Sequence, residues 1–212
     1  MTGVPEALPL LPPGARWLLV LAHGAGAGMR HPFMEAVAQA FAAEGIATLR
    51  YEFPYMAARR KRPDFKPVLL ATVRAAVEAG RKEGLPLLAG GKSMGGRMTS
   101  LAAAEGALEA KGIVFLGFPL HPAGKPSTER AEHLARVVQP TLFVQGTRDK
   151  LAGLDLLRPV LTPKATLHVV EGADHGFAVK GRGLGDTAAE IAAAVARWAD
   201  ALAQGSGILG PR

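Results

Sequence analysis

The sequence predicts an α/β fold in which a mostly parallel sheet of about six strands is covered by helices on both faces. The first observation behind this is that short apolar runs bounded by glycine or proline alternate with longer stretches of helical period. The second is that no internal repeat and no linker divides the 212 residues into separate cores. We therefore expect one domain over residues 1–203, followed by a flexible glycine-rich tail over residues 204–212.

The strands are predicted from continuous apolar runs, because a parallel strand that is buried on both faces lacks the alternation of a half-exposed one. The run Trp17–Ala22 is far too short to span a bilayer, which takes about 20 apolar residues. In chain order, the predicted strands are Trp17–Ala22, Ala47–Phe53, Leu85–Ala89, Gly112–Gly117, Thr141–Gln145 and Thr166–Val170.

Helices are predicted between and after these strands. In the last of them Ile191, Val195, Trp198 and Leu202 recur at helical spacing, which predicts that one face of this helix lies on the sheet. The predicted helices are Pro32–Glu44, Lys66–Glu83, Gly95–Ala104, Glu129–Val137, Leu154–Leu161 and Thr187–Ala203.

The composition narrows the chemistry that this chain can perform. It contains no cysteine, so disulfides and thiolate chemistry are excluded and any nucleophile must be an oxygen or a nitrogen. The formal charge of +7 is compatible with anionic partners, but no nucleic-acid-binding motif is present, so we expect no nucleic acid partner. Residues 1–16 contain several prolines and lack a basic start, so they do not resemble a signal peptide, and a cytoplasmic protein without a membrane partner is expected.

The central chemical signal is the run G-K-S-M-G at residues 91–95, which fits G-x-S-x-G and lies between a predicted strand and a predicted helix. A serine in such a tight turn needs small flanking residues so that strand and helix can approach each other. The chain has only four serines; Ser100 falls in a predicted helix, Ser127 in a loop and Ser206 in the tail. Ser93 is therefore the candidate nucleophile.

A serine hydroxyl is a poor nucleophile near neutral pH and needs a base that is itself oriented by a carboxylate. Asp149 and His175 follow Ser93 in the chain order that such sites require, and each lies just after a predicted strand. Loops that follow parallel strands converge at the carboxyl edge of the sheet, so we expect the three side chains to meet there. Asp174 is an alternative acid, but side chains adjacent in sequence usually diverge, which favours Asp149 as the partner of His175.

A negatively charged oxygen that develops during such chemistry needs N–H donors. The amide of Met94 is one expected donor, and the glycine-rich loop at residues 23–28 should supply the other, with Ala25 preferred and Gly24 next. We interpret His23, which opens this loop, as a residue that orients the backbone. The loop does not fit a phosphate cradle, because no Lys-Ser or Lys-Thr pair follows it, and no metal or organic cofactor is implied.

Taken together, these motifs resemble the α/β-hydrolase superfamily, and within it the small dienelactone-hydrolase-like branch, over roughly residues 17–203. Two features differ from the family: authentic dienelactone hydrolases carry cysteine where Ser93 stands, so their substrate is not implied, and no long insertion follows Gly117 to form a lid domain. The resemblance is carried by His23-Gly24-Ala25-Gly26, Tyr51-Glu52-Phe53-Pro54-Tyr55, Gly91-Lys92-Ser93-Met94-Gly95-Gly96, Asp149 and His175-Gly176-Phe177.

The resemblance implies a compact α/β-hydrolase that forms an acyl-enzyme on Ser93 and then releases the acyl group to water. Without a lid, the site should be open and should favour small or exposed ester-like substrates. Two alternatives stay open, namely a non-catalytic interaction domain with the same fold and an acyltransferase that uses the same three residues. Apolar residues in the loops at the catalytic edge are expected to line an acyl pocket, and these are Phe53, Tyr55, Phe118, Leu120 and Phe177.

A basic run at Arg59, Arg60, Lys61 and Arg62 has two interpretations. It follows the second predicted strand, so it should emerge at the same carboxyl edge as Ser93 and could steer anionic substrates toward the site. The other interpretation is a solvated loop without a role in binding, because charge runs are usually just exposed.

Overall fold

The computed structural model describes residues 6–106 and 108–205 of the chain. A single seven-stranded sheet forms its centre, with the strand order β1-β3-β2-β4-β5-β6-β7. The strands are β1 (Ala7–Leu10), β2 (Trp17–Ala22), β3 (Ile46–Tyr51), β4 (Leu87–Lys92), β5 (Gly112–Leu116), β6 (Thr141–Gly146) and β7 (Ala165–Val170).

All strands except the first run parallel, and all six predicted strands are present within a few residues of their expected bounds. The strand β1 was not predicted; it pairs antiparallel with β3 from Ala7 opposite Tyr51 to Leu10 opposite Thr48. This strand is short and contains Pro9, so it lacks the long apolar run of a central strand. Because β1 lies at the edge of the sheet, the missing N–H of a proline is tolerated there.

Helices cover both faces of the sheet. The segment predicted at Glu129–Val137 is a 3-10 helix over Glu129–Arg136, and the helix predicted at Leu154–Leu161 changes to a 3-10 turn where Pro159 interrupts the hydrogen-bond ladder. The short α2 was not predicted. The α-helices are α1 (Pro32–Ala43), α2 (Pro54–Ala57), α3 (Lys66–Arg81), α4 (Met94–Ala104), α5 (Leu154–Leu157) and α6 (Leu184–Ala203).

The core consists of two apolar layers, one on each face of the sheet. Alternate residues of β2 point to opposite faces, so Leu18 and Val20 pack in the layer that holds α3 and α4, while Leu19 and Leu21 pack in the layer that holds α1 and α6. This two-sided burial explains why β2 is apolar at every position. The loops after β2, β4, β6 and β7 therefore all emerge at one carboxyl edge.

The predicted tail at residues 204–212 lies beyond α6, and residues 206–212 of it are outside the described residues. Within residues 6–106 and 108–205, none of the helices has both the length and the apolar character needed to cross a membrane.

A buried histidine connects α4 to the 3-10 helix of residues 129–136. His133 is only 5% exposed, and its Nε2 lies 2.7 Å from Oγ of Ser100. Burial lowers the pKa of His133 to about 4, and the neighbouring charges of Arg97, Arg136 and Lys66 act in the same direction. The folded state therefore accepts the neutral ring and disfavours the imidazolium.

The buried neutral His133 should make the protein sensitive to mild acid. Its contribution to stability is complete above the unfolded pKa of 6.5 and is lost as the pH falls toward about 4, where the folded chain would also bind the proton. We expect the free energy of unfolding to fall by about 3 kcal/mol more over this range than in His133→Gln, whose side chain does not titrate. Urea unfolding of the parent and of His133→Gln at several pH values measures the difference.

Candidate active site

Ser93 lies at the sharp turn between β4, which ends at Lys92, and α4, which begins at Met94. Its backbone has φ 50° and ψ −116°, a conformation that non-glycine residues rarely adopt and that projects the side chain away from the sheet. The helix can approach β2 closely only because residue 95 is glycine, since a Cβ atom there would stand 2.5 Å from the backbone oxygen of His23.

Ser93, His175 and Asp149 form a continuous chain of hydrogen bonds. Oγ of Ser93 donates to Nε2 of His175 at 2.8 Å, and Nδ1 of His175 donates to Oδ2 of Asp149 at 2.7 Å. The side chain of Asp149 is 1% exposed, whereas that of His175 is 27% exposed. The base can therefore receive a proton from the serine while its ring is held in one tautomer by a buried carboxylate.

A glutamine that the sequence analysis did not single out fixes the acid. Gln145, at the end of β6, donates from Nε2 to Oδ2 of Asp149 at 2.6 Å and accepts from the Phe118 N–H at 2.9 Å. The Leu151 N–H donates to the other carboxylate oxygen at 2.8 Å. A polar residue within an otherwise apolar buried strand was the one available signal for Gln145.

The competing acid, Asp174, is turned away from the imidazole. Its side chain is exposed, and its Oδ1 accepts from the Ala178 N–H at 2.9 Å within its own loop. The structure thus brings Asp149, and not the sequence neighbour Asp174, to the Nδ1 side of His175.

The two expected oxyanion donors lie near Ser93, since Met94 follows it in the chain and Ala25 lines the same cavity. The Met94 N–H belongs to the first turn of α4 and so has no partner within the helix. The Ala25 N–H makes no hydrogen bond to another described residue. Since the peptide between Gly24 and Ala25 is trans, its N–H points opposite to the Gly24 carbonyl, which faces His23.

The loop that carries Ala25 is held from behind by buried polar side chains. His23 donates from Nδ1 to the Gly24 carbonyl at 2.7 Å and accepts from the Phe53 N–H at Nε2, and Tyr55 Oη donates to the Ala25 carbonyl at 2.8 Å. Burial lowers the pKa of His23, although the Glu52 carboxylate 3.0 Å from Nε2 opposes this effect. This geometry agrees with the interpretation of His23 as a residue that orients the backbone.

A cavity of about 310 Å³ opens beside Ser93 and His175. Its wall includes residues 24–27, and Phe33 and Met34 of α1. Ser93, His175 and this wall together form a site in which an acyl group could lie against the nucleophile.

The five aromatic and aliphatic residues predicted to line this pocket do not lie in its wall, which corrects the expectation from sequence. Each is at most 1% exposed and packs into the core; Phe177, for example, stacks on Phe33 at 5.4 Å. The loops fold inward because burying these side chains removes apolar surface from water. The five residues are Phe53, Tyr55, Phe118, Leu120 and Phe177.

Within residues 6–106 and 108–205, no three His, Asp or Glu side chains are grouped as ligands for a metal ion.

Comparisons with known proteins agree with this architecture. A family model for an alpha/beta hydrolase domain matches residues 15–204. Among solved structures, the fold resembles a dienelactone hydrolase from Anabaena variabilis, with a TM-score of 0.70 and 22% identity over 91% of this chain and 89% of that one. It also resembles an alpha/beta serine hydrolase without lid from Xanthomonas campestris, with a TM-score of 0.67 and 22% identity over 93% of this chain and 96% of that one.

Two curated relatives, from two strains of Mycobacterium tuberculosis, bear the provisional name phosphoribosyl transferase. Each is 28% identical to this chain over 176 residues, which is 79% of this chain. The chain spans only 38% of the length of these relatives. Their name therefore refers to longer proteins, and this chain resembles one part of each.

The hydrogen bonds around His175 predict a strong difference between its two acidic neighbours. Asp149→Asn should lower the turnover of a small chromogenic ester by about 10⁴-fold, because an amide at this position favours the wrong imidazole tautomer. Asp174→Asn removes an equal charge from an exposed position and should change turnover only slightly. Steady-state kinetics of both variants against the parent test this ranking, and an equal or larger loss in Asp174→Asn would contradict it.

Proposed function

This chain belongs to the alpha/beta hydrolase family, and from that membership we propose that it is a serine hydrolase that cleaves small or exposed ester-like substrates. The observation that carries the proposal is the hydrogen-bonded series from Ser93 through His175 to Asp149, at 2.8 Å and 2.7 Å. A serine, a base and an orienting acid in this arrangement form the machinery of acyl transfer on many folds.

The reaction begins when Oγ of Ser93 attacks the carbonyl carbon while Nε2 of His175 takes the hydroxyl proton. The tetrahedral intermediate places its negative oxygen between the N–H groups of Met94 and Ala25, which stabilise it by hydrogen bonding. Asp149 stabilises the imidazolium that has formed. His175 then gives its proton to the leaving alcohol oxygen, and the acyl group stays on Ser93 as an ester.

Release of the acyl group repeats these steps with a second nucleophile. His175 takes a proton from water, the resulting oxygen attacks the acyl carbon, and Ser93 recovers its proton as the acid leaves. An acyltransferase would use the same steps with an alcohol or amine in place of water. His175, whose side chain is 27% exposed, can be reached by water, which supports water as the acceptor.

The substrate class follows from the size and lining of the cavity. About 310 Å³ beside Ser93, walled by small residues of the 24–27 loop and by Phe33 and Met34, suits a short apolar acyl group. The connection from β5 to the next helix, residues 117–128, is too short to form an inserted lid domain. Substrates whose alcohol portion extends into solvent therefore fit this site.

The name of the mycobacterial relatives is not extended to this chain. The matched region is 38% of each relative, and the alpha/beta hydrolase model alone accounts for residues 15–204. The hydrogen-bonded serine and histidine suit acyl transfer, which needs an activated hydroxyl, and that chemistry is the basis of the proposal.

A negative charge on the substrate is a further part of the proposal. Residues 59–62 are all exposed in the loop between α2 and α3, at the same edge of the sheet as Ser93. Arg60 pairs with Asp64 at 2.6 Å, whereas Arg59, Lys61 and Arg62 form no ion pair within the described part of the chain. Unpaired cations at this edge would raise the local concentration of anionic esters.

A fluorophosphonate probe tests the nucleophile directly, because it reacts with activated serine hydroxyls. The parent should be labelled on Ser93 and should hydrolyse short p-nitrophenyl esters, and Ser93→Ala should lose both labelling and turnover. Ser127→Ala is the matched control, since it removes a serine from a loop and should behave as the parent. Mass spectrometry of the adduct gives the labelled position.

Two outcomes would overturn this proposal in different ways. If the parent is never labelled, the non-catalytic interaction domain becomes the better explanation of the chain. If the parent is labelled but acyl groups pass to added alcohols in preference to water, as measured by product analysis, the protein is an acyltransferase.

Electrostatic steering is tested by removing two of the three unpaired cations. In Lys61→Ser/Arg62→Ser, kcat/KM for a carboxylate-bearing ester should fall several-fold at low salt and approach the parent value at high salt, because screening acts over a Debye length of about 8 Å at physiological ionic strength. The neutral analogue should be unaffected. Lys82→Ser/Lys111→Ser removes two exposed lysines at the opposite edge and serves as control. Equal effects of the two double variants would rule out local steering.

A further inference from the structure

Lys92 directly precedes the nucleophile, and its charged end is enclosed beside the catalytic residues. Nζ of Lys92 is buried and has no hydrogen-bond partner among the described residues. It lies 5.5 Å from the centre of the Phe177 ring, over the aromatic face. A lysine side chain normally extends its ammonium group into water, so this inward orientation calls for a physical explanation.

Gly117 shows how close the ammonium group is to the catalytic pair. A Cβ atom built at this residue would stand 3.2 Å from Nζ of Lys92, 3.5 Å from Oδ2 of Asp149 and 3.5 Å from Nδ1 of His175. The three atoms therefore surround one small space, which stays open because residue 117 is glycine with φ 71°. Lys92 thus faces the hydrogen bond between His175 and Asp149 from the side.

We propose that Lys92 is a positioning residue that acts through His175: its buried ammonium disfavours the imidazolium and keeps the base neutral to lower pH. This inference rests on the proposed role of His175 as the base. A neutral imidazole is required before Ser93 can transfer its proton, so Lys92 sets the acid limit of the reaction.

The groups around Lys92 are consistent with a protonated ammonium near neutral pH. Burial lowers the pKa of Lys92 to about 8, and the carboxylates of Asp149 and Asp174 oppose that shift. The face of the Phe177 ring also favours a cation. Together with His175, these are the titratable and charged groups that surround the ammonium, and Lys92 is mostly protonated at pH values below its pKa of about 8.

The charge of Lys92 thereby offsets that of the buried carboxylate in the resting site. Asp149 contributes one negative charge and Lys92 one positive charge, and attack by Ser93 adds an imidazolium and an oxyanion of opposite sign. Without the positive charge of Lys92, the buried carboxylate would attract a proton to His175 more strongly. The imidazole would then be protonated at a higher pH.

Lys92→Met tests the proposal, because methionine has a similar length and fills the space without a charge. The pH at which the NMR signals of the His175 ring shift should rise by about one unit in this variant, as should the acid limb of the phosphonylation rate of Ser93. Lys180→Met removes a charge from an exposed lysine of the loop that carries His175. It should change neither the titration of the His175 signals nor the acid limb of the phosphonylation rate. The thermal midpoint of Lys92→Met should equal or exceed that of the parent, since a buried charge has been removed.

The outcomes separate this inference from the proposed function. An unchanged or lowered titration of His175 in Lys92→Met would overturn the inference even if turnover falls, and so would a loss of folding stability without a change in titration, because Lys92 would then be structural. If the His175 signals shift as expected but the parent never hydrolyses esters, the inference stands and the proposed function fails. NMR of the folded parent requires no substrate, so the comparison gives a result in either case.

Discussion

The strained turn at Ser93 is the constraint around which the catalytic edge is organised. Its backbone, at φ 50° and ψ −116°, stores on the order of 1–3 kcal/mol that the surrounding sheet must offset. The Ser93 N–H donates to the Leu116 carbonyl at 3.1 Å, which ties the turn to β5, and Gly95 allows α4 to approach β2. Because α4 begins at the next residue, the same turn that exposes the hydroxyl also exposes the Met94 N–H. The candidate nucleophile and the candidate oxyanion donor are therefore placed by one local conformation.

The other parts of the site are fixed by buried polar contacts rather than by apolar packing. Gln145 and the Leu151 N–H hold the two oxygens of Asp149, while His23 and Tyr55 hold the loop that carries Ala25. Directional hydrogen bonds at low dielectric restrict orientation more than apolar contacts do. Once these buried hydrogen bonds have formed, each loop can adopt few conformations. Loops can therefore hold the reacting groups in fixed positions.

The apolar residues around the site serve mainly to support it. Phe177 stacks on Phe33, which lines the cavity, and offers its other neighbour, Lys92, an aromatic face. The cavity wall is formed by α1 and the glycine-rich loop, so its shape depends on how α1 lies against β3 and α6. Motif recognition in the loops could not reveal this, since Phe33 and Met34 look like ordinary core positions of an amphipathic helix.

The amino-acid pattern alone identified the fold class and the candidate nucleophile and base, and it favoured Asp149 over Asp174 as the acid, because apolar periodicity and the order of strand-end residues are local properties of the chain. The confirmed β2, apolar at every position, is the clearest case. The folded structure was needed to show that Asp149 and not Asp174 faces His175, that Gln145 supports the acid, and that the end of Lys92 turns inward. These are relations between side chains from different strands, and their distances depend on sheet register and loop packing, which no local pattern encodes.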